Sequence, residues 1–408
     1  MIEEALILAA GKGSRMWPLT EYNPKPLLPL CGKSIIEQQI FSLKNIGVKK
    51  IHILIGHRMK EISDLLGDGK EYGVKINYIV QSEQKGTGHA VSLAKNHVKG
   101  QFFCLNGDTL INEENLKLLA KNNGKIAMMI TNVDDGEKFG AVKSKNGKLL
   151  SIVEKGIKGN ASINAGIYLF NAKIFDSLKS IKKSIRGEIE LTDALMVNEV
   201  YTVEYTGFWK DIGTPWDLLT ANEFSSQYIE ENIIGKIEKN VEIKGSIHLG
   251  KNSLIKSGTY IEGPAWIGEN CIIGPNAYIR KGTVLCGENK VGAASEIKNS
   301  ILFKGAKAPH HNYVGDSILG KECNLGSGTK IANLRLDKKE ITVTHRGERI
   351  DTSRRKLGVI MGDNVSTGIN SSINSGTIIG SDVKIGPNAL VSGTFESKSL
   401  IISCIFFK

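Results

Sequence analysis

Glycines and basic residues follow the first apolar segment of the chain in a pattern suited to binding phosphate. The run GKGSR, residues 11–15, comes directly after the apolar segment Ala5–Ala9. Glycine lets backbone N–H groups approach a phosphate closely, and Arg15 adds a planar cation that can bind two oxygens at once. Ten residues further on, Lys25 stands between two prolines, which favour a stiff extended segment and so fix the position of the cation. A simple turn explains the glycines alone, but the combination favours an anion site.

Short apolar segments alternate with amphipathic segments over the first 225 residues. This alternation predicts a Rossmann-like α/β domain, with a mostly parallel sheet and helices on both faces. Such sheets bind ligands at the carboxyl ends of their strands. A further helix is expected to begin at Pro215, since proline is favoured at the first helical position. The expected strands are Ala5–Ala9, Lys50–Ile55, Lys75–Val80, Phe102–Leu105 and Lys125–Thr131, and the expected helices are Ile35–Ile46, Met59–Leu66, Ala90–Lys95 and Glu113–Lys121.

The second half of the chain has an apolar residue at every sixth position. The series comprises Ile237, Ile243, Leu249, Ile255, Ile261, Ile267, Ile273, Ile279, Leu285, Val291, Ile297 and Phe303. It breaks near Pro309, resumes at Leu319, Leu325 and Ile331, and returns at Ile373, Ile379, Ile385 and Val391. A period of six indicates a solenoid in which three hexapeptides form one coil, with the aliphatic residues inside. We therefore predict a left-handed parallel β-helix of hexapeptide repeats over residues 237–408, joined by a linker at 226–236 to a domain at 1–225.

Residues 337–356 interrupt this repeat. Within them, Ile341–Thr344 and Glu348–Ile350 flank the pair Arg346-Gly347, a pattern that predicts a β-hairpin projecting from the solenoid. Projecting loops often carry function, although a tolerated surface insertion explains the hairpin equally well.

The bulk composition narrows the classes of function. The net charge of +11 suits anionic partners, but no segment combines dense Lys and Arg with interleaved aromatics, so nucleic acid is not the expected partner. No apolar run approaches the roughly 20 residues of a membrane span, and the N-terminus does not read as a signal peptide, so we expect a cytoplasmic protein without membrane contact. The six cysteines form no C-x-x-C pair, which argues against a zinc site.

Several motifs in the first domain resemble the signature of the sugar-1-phosphate nucleotidyltransferases. In that family an oxygen of the sugar phosphate attacks the α-phosphorus of a nucleoside triphosphate and pyrophosphate leaves, so catalysis is mainly positioning and charge neutralisation. The resemblance is carried by LAAGKGSRM (8–16) and NPKPLLPL (23–30), and it continues with GTGHA (86–90), LNGD (105–108), VEK (153–155), NAGIY (164–168) and FWKDIG (208–213).

The resemblance implies a role for each matching residue. Arg15 and Lys25 would neutralise the triphosphate, and Asp108 and Asp211 would hold Mg²⁺. The residues implied in nucleotide binding are Ala10, Gly11, Gly13, Gln81, Gly86 and Thr87, and those implied in sugar binding are Gly140, Glu154, Lys155 and Asn164. GKGSRM and GTGHA are similar to uridylyltransferases, whereas WKDIGTPWD is more similar to thymidylyl- and guanylyltransferases, so the expected nucleotide is UTP or dTTP.

A second set of residues interrupts the hexapeptide series. KAPHHNYVGD (307–316) and NLGSGT (324–329), together with Asn333, resemble the acetyltransferase half of the bifunctional enzyme that makes UDP-N-acetylglucosamine, in its archaeal type. By this resemblance His310 is the general base that removes a proton from the attacking amine, a role that suits an imidazole because its ordinary pKa is about 6.5. The residues implied in binding the amino-sugar phosphate are Arg280, Lys298, Tyr313, Asn324 and Asn333, and Ser327 falls near the implied acetyl-CoA site. The resemblance also implies a homotrimer or a larger homo-oligomer.

The two motif sets leave three hypotheses about function. The first is a bifunctional enzyme that acetylates glucosamine-1-phosphate and couples the product to UTP. The second is a nucleotidyltransferase alone, for glucose-1-phosphate or mannose-1-phosphate, with the solenoid as a structural or regulatory module. The third is a scaffold with degenerate sites. The cluster from His310 to Asn333 favours the first hypothesis, and the third is disfavoured by the intact order of Arg15, Lys25, Asp108, Lys155 and Asp211.

Overall fold

The computed structural model describes residues 2–56, 58–137, 139–154, 156–184 and 187–402. Its internal contacts divide the chain into two compact units, the first formed by Met1–Lys12 with Ile35–Asp211 and the second by Gly13–Ser34 with Ile212–Lys408. Residues 13–34, here called the signature segment, therefore group with the C-terminal half of the chain. Across the described ranges, none of the helices is long and apolar enough to span a membrane.

A nine-stranded sheet forms the centre of the first unit. Its strands, from edge to edge, are Lys75–Val80, Lys50–Ile55, Glu4–Leu8, Phe102–Asn106, Ala161–Phe170, Ile126–Val133, Val200–Glu204, Lys148–Glu154 and Gly140–Lys145. The first four strands are mutually parallel, as expected from the alternating pattern. A separate two-stranded ladder joins Thr109–Leu110 to Lys210–Asp211.

The other half of this sheet is mixed rather than mostly parallel, since among its described strands only Ile126–Val133 and Val200–Glu204 form a parallel pair. The strand Ala161–Phe170 runs antiparallel to both of its neighbours, and Gly140–Lys145 runs antiparallel to Lys148–Glu154. The last two strands are joined by Asn146 and Gly147, which have positive φ angles of 52° and 70°. Such a two-residue loop can connect only antiparallel strands, whereas a parallel pair needs a long crossover.

The helices of the first unit mostly occupy the expected positions. Met59–Leu66 has the expected bounds, whereas the helix expected at Ala90–Lys95 begins earlier and spans Thr87–Ser92. In the second unit, Thr214 caps a helix through a reciprocal hydrogen-bonded box with Asp217, which confirms the predicted helix start at Pro215. The α-helices are Ile35–Asn45, Met59–Leu66, Thr87–Ser92, Glu113–Ala120, Lys173–Ser180, Leu191–Met196 and Pro215–Ser226, and the 3₁₀ turns are Ser14–Met16, Lys25–Leu27 and Lys70–Tyr72.

Three ladders of short parallel strands make up most of the second unit. One ladder contains Asn232–Ile233, Ile247–Leu249, Ala265–Ile267, Thr283–Leu285, Ile301–Leu302, Ile318–Leu319, Val359–Met361, Thr377–Ile379 and Thr394–Phe395. A second contains Lys236–Ile237, Leu254–Ile255, Ile272–Ile273, Lys290–Ala293 and Lys307–His310, and after a bridge at Asn324 it continues with Ser366–Thr367, Lys384–Ile385 and Leu400–Ile401. The third contains Glu242–Lys244, Tyr260–Glu262, Tyr278–Ile279, Glu296–Lys298, Tyr313–Gly315, Lys330–Ile331, Ser372–Ile373 and Leu390–Val391. This stack is consistent with a β-helix, and the predicted domain and linker boundaries stay predictions.

The repeat of six residues places its apolar side chains in the core of the stack. From Leu249 to Phe303, every member of the predicted series is at most 2% exposed. The ladder pairs Ile255 with Ile273, an offset of 18 residues. The register then shortens, because Leu285 pairs with Leu302 and not with Phe303. The coil that ends at Leu302 is therefore one residue shorter than the coils before it, and Leu302 takes the ladder position predicted for Phe303.

The insertion folds as the predicted hairpin. Its strands are Thr342–His345 and Glu348–Asp351, and they are antiparallel. The expectation that the hairpin projects is wrong for one face, because Ile341 and Val343 are 1% and 2% exposed. A Cβ at Gly376 would lie 2.6 Å from Ile341 Cγ2, so the hairpin packs directly on a later coil.

Candidate active sites

A cavity of about 310 Å³, here called the first cavity, lies at the carboxyl ends of the parallel strands of the first unit. Of the residues implied in nucleotide binding, the cavity wall contains Ala10, Gly11, Gln81, Gly86 and Thr87, and it also contains Asp108. The loop after the first strand is fixed there, since Gln84 Nε2 donates to the Ala10 carbonyl at 2.7 Å. No heavy atom beyond its chain neighbours lies within 4 Å of a Cβ placed at Gly11, so the backbone there is open to a ligand.

Gly86 and Gln81 are fixed by local geometry. Gly86 has a φ of 97°, and a Cβ there would lie 2.5 Å from the Ile189 carbonyl oxygen, so only glycine fits. Gln81 is 6% exposed, and its Nε2 lies 3.1 Å from His89 Nδ1. Burial, with Lys85 nearby, lowers the pKa of His89, which keeps this ring neutral near pH 7 and able to accept from Gln81. Gln81 is thereby oriented at the wall of the cavity, where an amide can read the edge of a base.

A second cavity of about 220 Å³ contains Gly140, Asn164 and Asp211 in its wall. Asn106 lines both cavities, so the two adjoin at this side chain. Gly166 has a φ of 72°, and a Cβ there would lie 2.4 Å from Asn106 Nδ2, so the fold needs glycine where these two segments meet.

An aromatic pair and a hydrogen-bonded asparagine shape the wall of the second cavity. Trp209 donates its indole N–H to the Ala165 carbonyl at 3.0 Å, and its ring lies 5.3 Å from that of Phe139. Asn164 Nδ2 donates to the Tyr168 hydroxyl at 2.8 Å, which fixes the amide. The wall thus combines a flat apolar surface with oriented polar groups, a combination that suits a sugar ring.

The two aspartates implied in metal binding lie on neighbouring strands. Asp211 is the ladder partner of Thr109, the residue that follows Asp108. Ladder partners have Cα atoms about 4.5–5.5 Å apart, so the two carboxylates belong to adjacent positions. The turn is held by Gln39, whose Nε2 donates to the carbonyls of Asn106 and Thr109, both at 2.8 Å. Two carboxylates, completed by phosphate oxygens and water, are a donor set that suits Mg²⁺.

For two residues implied in sugar binding, Glu154 and Lys155, the side chains lie outside the described part of the chain. The backbone of Glu154 pairs with Gly140, but its side chain lies outside the described residues. Lys155 lies outside the described residues altogether.

The signature segment of the second unit contains Gly13, Arg15 and Lys25. Gly13 has a φ of 64°, and a Cβ there would lie 2.8 Å from Lys25 Cβ, so the glycine turn packs directly on the stem of the lysine. Thr20 Oγ1 donates to the Gly13 carbonyl at 2.9 Å and closes the turn. Arg15 is exposed, whereas Lys25 is 8% exposed and begins a 3₁₀ turn. The expected extended conformation at Lys25 is therefore wrong, because the following Pro26 disfavours the helical region for Lys25 without forbidding it, and only Pro24 is extended.

Of the residues implied in amino-sugar binding, Lys298 and Tyr313 lie on the third ladder of the second unit, and Arg280 and Asn333 follow strands of that ladder by one and two residues. A buried aspartate links Lys298 to Asn333. Asp316 is 2% exposed. It accepts hydrogen bonds from Lys298 Nζ at 3.0 Å, from Asn333 Nδ2 at 2.5 Å and from Asn299 Nδ2 at 2.7 Å. A Cβ at Gly315 would lie 2.6 Å from Asn333 Nδ2 and 2.8 Å from the Tyr313 hydroxyl, so both side chains converge over this glycine.

Arg280 and Tyr313 flank this cluster. Arg280 donates to Glu296 at 2.9 Å and lies 5.4 Å from the centroid of the Tyr278 ring. Glu296 is in turn the ladder partner of Tyr313. Burial, together with the charges of Glu296 and Asp316, raises the pKa of Tyr313, which keeps its hydroxyl protonated and able to donate.

His310 lies at the end of a strand of the second ladder and is exposed. Its backbone N–H donates to Asn312 Oδ1 at 3.0 Å, and its carbonyl accepts from Gly328 N at 3.0 Å. Ser327 therefore lies beside His310 on the next coil. Asn324 is bridged to Lys307, three residues before His310. His310 ends one strand and Tyr313 begins the next, so the group of residues around His310 and the group around Tyr313 are neighbours in the stack.

Asn106, Trp209, Glu296 and Asp316 were not among the predicted site residues. Asn106, Trp209 and Asp316 stand inside the motifs LNGD, FWKDIG and HHNYVGD, so their motif membership was the available signal. The place of Glu296 beside Tyr313 depends on the ladder register.

The sheet of the first unit, with glycine loops and an aspartate pair at its strand ends, is that of a nucleotidyl transferase. A family model described as nucleotidyl transferase matches residues 4–228, and one described as the GMPPB C-terminal domain matches residues 259–400. The chain is 42% identical to the bifunctional protein GlmU of Methanococcus vannielii over 98% of this chain and 97% of that protein. It is 40% identical to a bifunctional sugar-1-phosphate nucleotidylyltransferase/acetyltransferase of Sulfurisphaera tokodaii, over 95% of this chain and 97% of that protein.

A solved structure shows the same fold over 57% of the chain. It is a putative glucose-1-phosphate thymidylyltransferase of Bacillus anthracis in complex with a sucrose, with a TM-score of 0.52 and 30% identity over 57% of this chain and 98% of that one. The chain therefore belongs to the family of bifunctional sugar-1-phosphate nucleotidylyltransferase/acetyltransferase enzymes.

Proposed function

We propose that this chain makes UDP-N-acetylglucosamine in two steps. It transfers an acetyl group from acetyl-CoA to the amine of glucosamine-1-phosphate, and it then transfers a uridylyl group from UTP to N-acetylglucosamine-1-phosphate with release of pyrophosphate. Thymidylyl transfer from dTTP is a further proposed reaction. The observation that carries this proposal is that one chain contains both residue sets: Asp211 pairs with the residue after Asp108 in the first unit, and Asn333 donates to the buried Asp316 in the second.

The geometry of the first unit supports the nucleotidyl reaction. The first cavity would receive the nucleotide and the second the sugar phosphate, so that Asn106, which lines both, would lie beside the reacting groups. Mg²⁺ held by Asp108 and Asp211 would neutralise charge on the phosphates. By the family resemblance Arg15 and Lys25 would neutralise charge on the triphosphate, and positioning would supply much of the remaining rate enhancement.

The ladder residues of the second unit support the acetyl reaction. The amine must lose a proton as it attacks the thioester, and the exposed imidazole of His310 would accept that proton. Tyr313 and Asn333, which converge over Gly315, would bind the sugar. Arg280 and Lys298 would bind its phosphate.

The proposal includes the fold of the stack, its oligomeric state and its cellular compartment. The stack would be a left-handed parallel β-helix of hexapeptide repeats that assembles as a homotrimer or larger homo-oligomer. The five described cysteines are free thiols, as suits a protein of the reducing cytoplasm. Neither nucleic acid nor a membrane is a proposed partner.

The test follows both products in one preparation. Purified protein is incubated with acetyl-CoA and glucosamine-1-phosphate while thiol release is recorded, and separately with UTP and N-acetylglucosamine-1-phosphate while pyrophosphate is recorded. His310→Ala should abolish only thiol release, and Asp108→Asn should abolish only pyrophosphate release, so each variant controls for the folding of the other. If both activities survive in both variants, the residue assignments are wrong.

A second candidate function is nucleotidyl transfer alone. It is favoured by the match of residues 259–400 to the GMPPB C-terminal domain and by the likeness to a thymidylyltransferase structure. In that case the stack would be structural or regulatory, and the substrate would be glucose-1-phosphate or mannose-1-phosphate. Absence of thiol release while pyrophosphate release is intact would select this function.

A further inference from the structure

We infer that the strand stack of the second unit holds the signature segment in its working position, and that Asn23 and Asp363 are positioning residues for nucleotidyl transfer. This inference rests on the proposed function, because it concerns the residues that present Arg15 and Lys25. It gives the stack a part in the nucleotidyl reaction, in addition to acetyl transfer.

The centre of the attachment is a buried hydrogen bond between distant parts of the chain. Asn23 Nδ2 donates to Asp363 Oδ2 at 2.9 Å, and both residues are 6% exposed. The other carboxylate oxygen of Asp363 accepts from the Lys321 N–H at 2.8 Å. Asn23 also donates to the Leu19 carbonyl within the signature segment, at 3.3 Å. A buried carboxylate thus connects the segment to two coils of the stack.

The residues on either side of this bond make further contacts with the last coils. Glu21 Oε2 accepts from Ser397 Oγ at 2.6 Å and from the Ser381 N–H at 3.1 Å. The Tyr22 hydroxyl donates to Asp382 Oδ2 at 2.7 Å. Three consecutive residues of the segment therefore bond to three successive coils. We call these hydrogen bonds, with that of Asn23 to Asp363, the anchor.

Apolar and ring contacts attach the two ends of the segment. The Trp17 ring lies 6.0 Å from that of His345 on the inserted hairpin. Gly32 has a φ of 80°, and a Cβ there would lie 2.0 Å from the Trp266 ring, so the backbone lies flat against this indole. Between them Leu19 is fully buried.

Asn23 of the anchor lies two residues before Lys25. The aliphatic part of the Lys25 side chain packs on the Gly13 turn, which precedes Arg15. A shift of the anchor is therefore passed to both cations along a short and closely packed path. Misplacement of a group by about 1 Å can lower a rate by on the order of 10²-fold. Nucleotidyl transfer should consequently depend on the Asn23–Asp363 hydrogen bond, which joins residues 340 positions apart in the sequence.

The test is an exchange of the two anchor groups in the full-length protein. Asn23→Asp places a second carboxylate against the buried Asp363, and the two repel each other. The double variant Asn23→Asp/Asp363→Asn restores one amide donor facing one carboxylate acceptor, with the amide oxygen still able to accept from Lys321. It loses the longer hydrogen bond from residue 23 to the Leu19 carbonyl, at 3.3 Å. Asp351→Asn is the matched control, because Asp351 is exposed and accepts a local hydrogen bond from the Ser353 N–H at 2.8 Å.

The expected result is a loss of kcat for pyrophosphate release of roughly 10- to 100-fold in Asn23→Asp. The double variant should regain most of it, and Asp351→Asn should match the unsubstituted protein. Thiol release from acetyl-CoA should stay within about twofold in all variants. Hydrogen exchange of peptides covering residues 13–34 should rise in Asn23→Asp and return in the double variant.

Two outcomes would overturn the inference. One is an unchanged kcat in Asn23→Asp, and the other is an equal loss of both activities without recovery in the double variant, which would mean a structural role only. Failure of the unsubstituted protein to release pyrophosphate with any sugar-1-phosphate would instead refute the proposed function. The exchange measurement still reports on the attachment in that case.

Discussion

Gly166→Ala tests whether the junction of the two cavities sets the rate of nucleotidyl transfer. At this position an added Cβ would lie 2.4 Å from Asn106 Nδ2, whereas ordinary contact begins at 3.4 Å. Asn106 must therefore move by about 1 Å, and a displacement of that size in a reacting site can cost on the order of 10²-fold, or about 2.7 kcal/mol. The left-handed backbone adds a folding cost of about 1–2 kcal/mol.

Gly147→Ala is a matched control for the backbone cost. Gly147 has a φ of 70°, close to the 72° of Gly166, but no heavy atom lies within 4 Å of its added Cβ. Gly166→Ala should lose at least as much thermal stability as Gly147→Ala, whereas only Gly166→Ala should lose kcat/KM for pyrophosphate release. Thiol release serves as an internal reference. Equal kinetics in the two variants would refute the idea that Asn106 must stay in place.

Two further predictions concern metal and pH. Removal of divalent cations with EDTA should abolish pyrophosphate release and leave thiol release unchanged, and added Mg²⁺ should restore it, as followed by the two assays side by side. His52 is fully buried, and neither of its ring nitrogens has a hydrogen-bond partner among the described residues. Burial lowers the pKa of His52 to about 4. Unfolding therefore takes up a proton between pH 6.5 and about 4, so the stability of the first unit should fall as pH falls through this range, by up to roughly 1.4 kcal/mol per pH unit. His52→Phe should weaken this dependence of the melting temperature on pH, and an unchanged profile would contradict the assignment.

The repeat made the stack predictable because each coil meets the same requirement. One aliphatic residue per side must point inward, so a period of six marks the core from Leu249 onward. The shortened coil was not predictable, because Ile301, Leu302 and Phe303 are all apolar and all buried. Any of the three satisfies the pattern, and only the pairing of Leu285 with Leu302 decides between them.

Local motifs point to candidate site residues but not to the residues that support them. LNGD points to Asp108 from four adjacent letters, and the Asn146-Gly147 pair is a local signal for the antiparallel hairpin. Contacts such as that of Asp316 with Lys298 depend on the register of the coils, which a local pattern does not contain.

The position of the anchor also orders the loss of the two activities on heating. In a solenoid each coil is stabilised only by its neighbours, so the terminal coils open first. The anchor uses the last coils, at Ser381, Asp382 and Ser397, whereas the acetyl-site residues lie in the middle of the stack, from Arg280 to Asn333. Opening from the C-terminal end would release the signature segment while the acetyl site is still folded. Pyrophosphate release should therefore decline at a lower temperature than thiol release when both are assayed at each temperature, and simultaneous loss, or earlier loss of thiol release, would contradict this order.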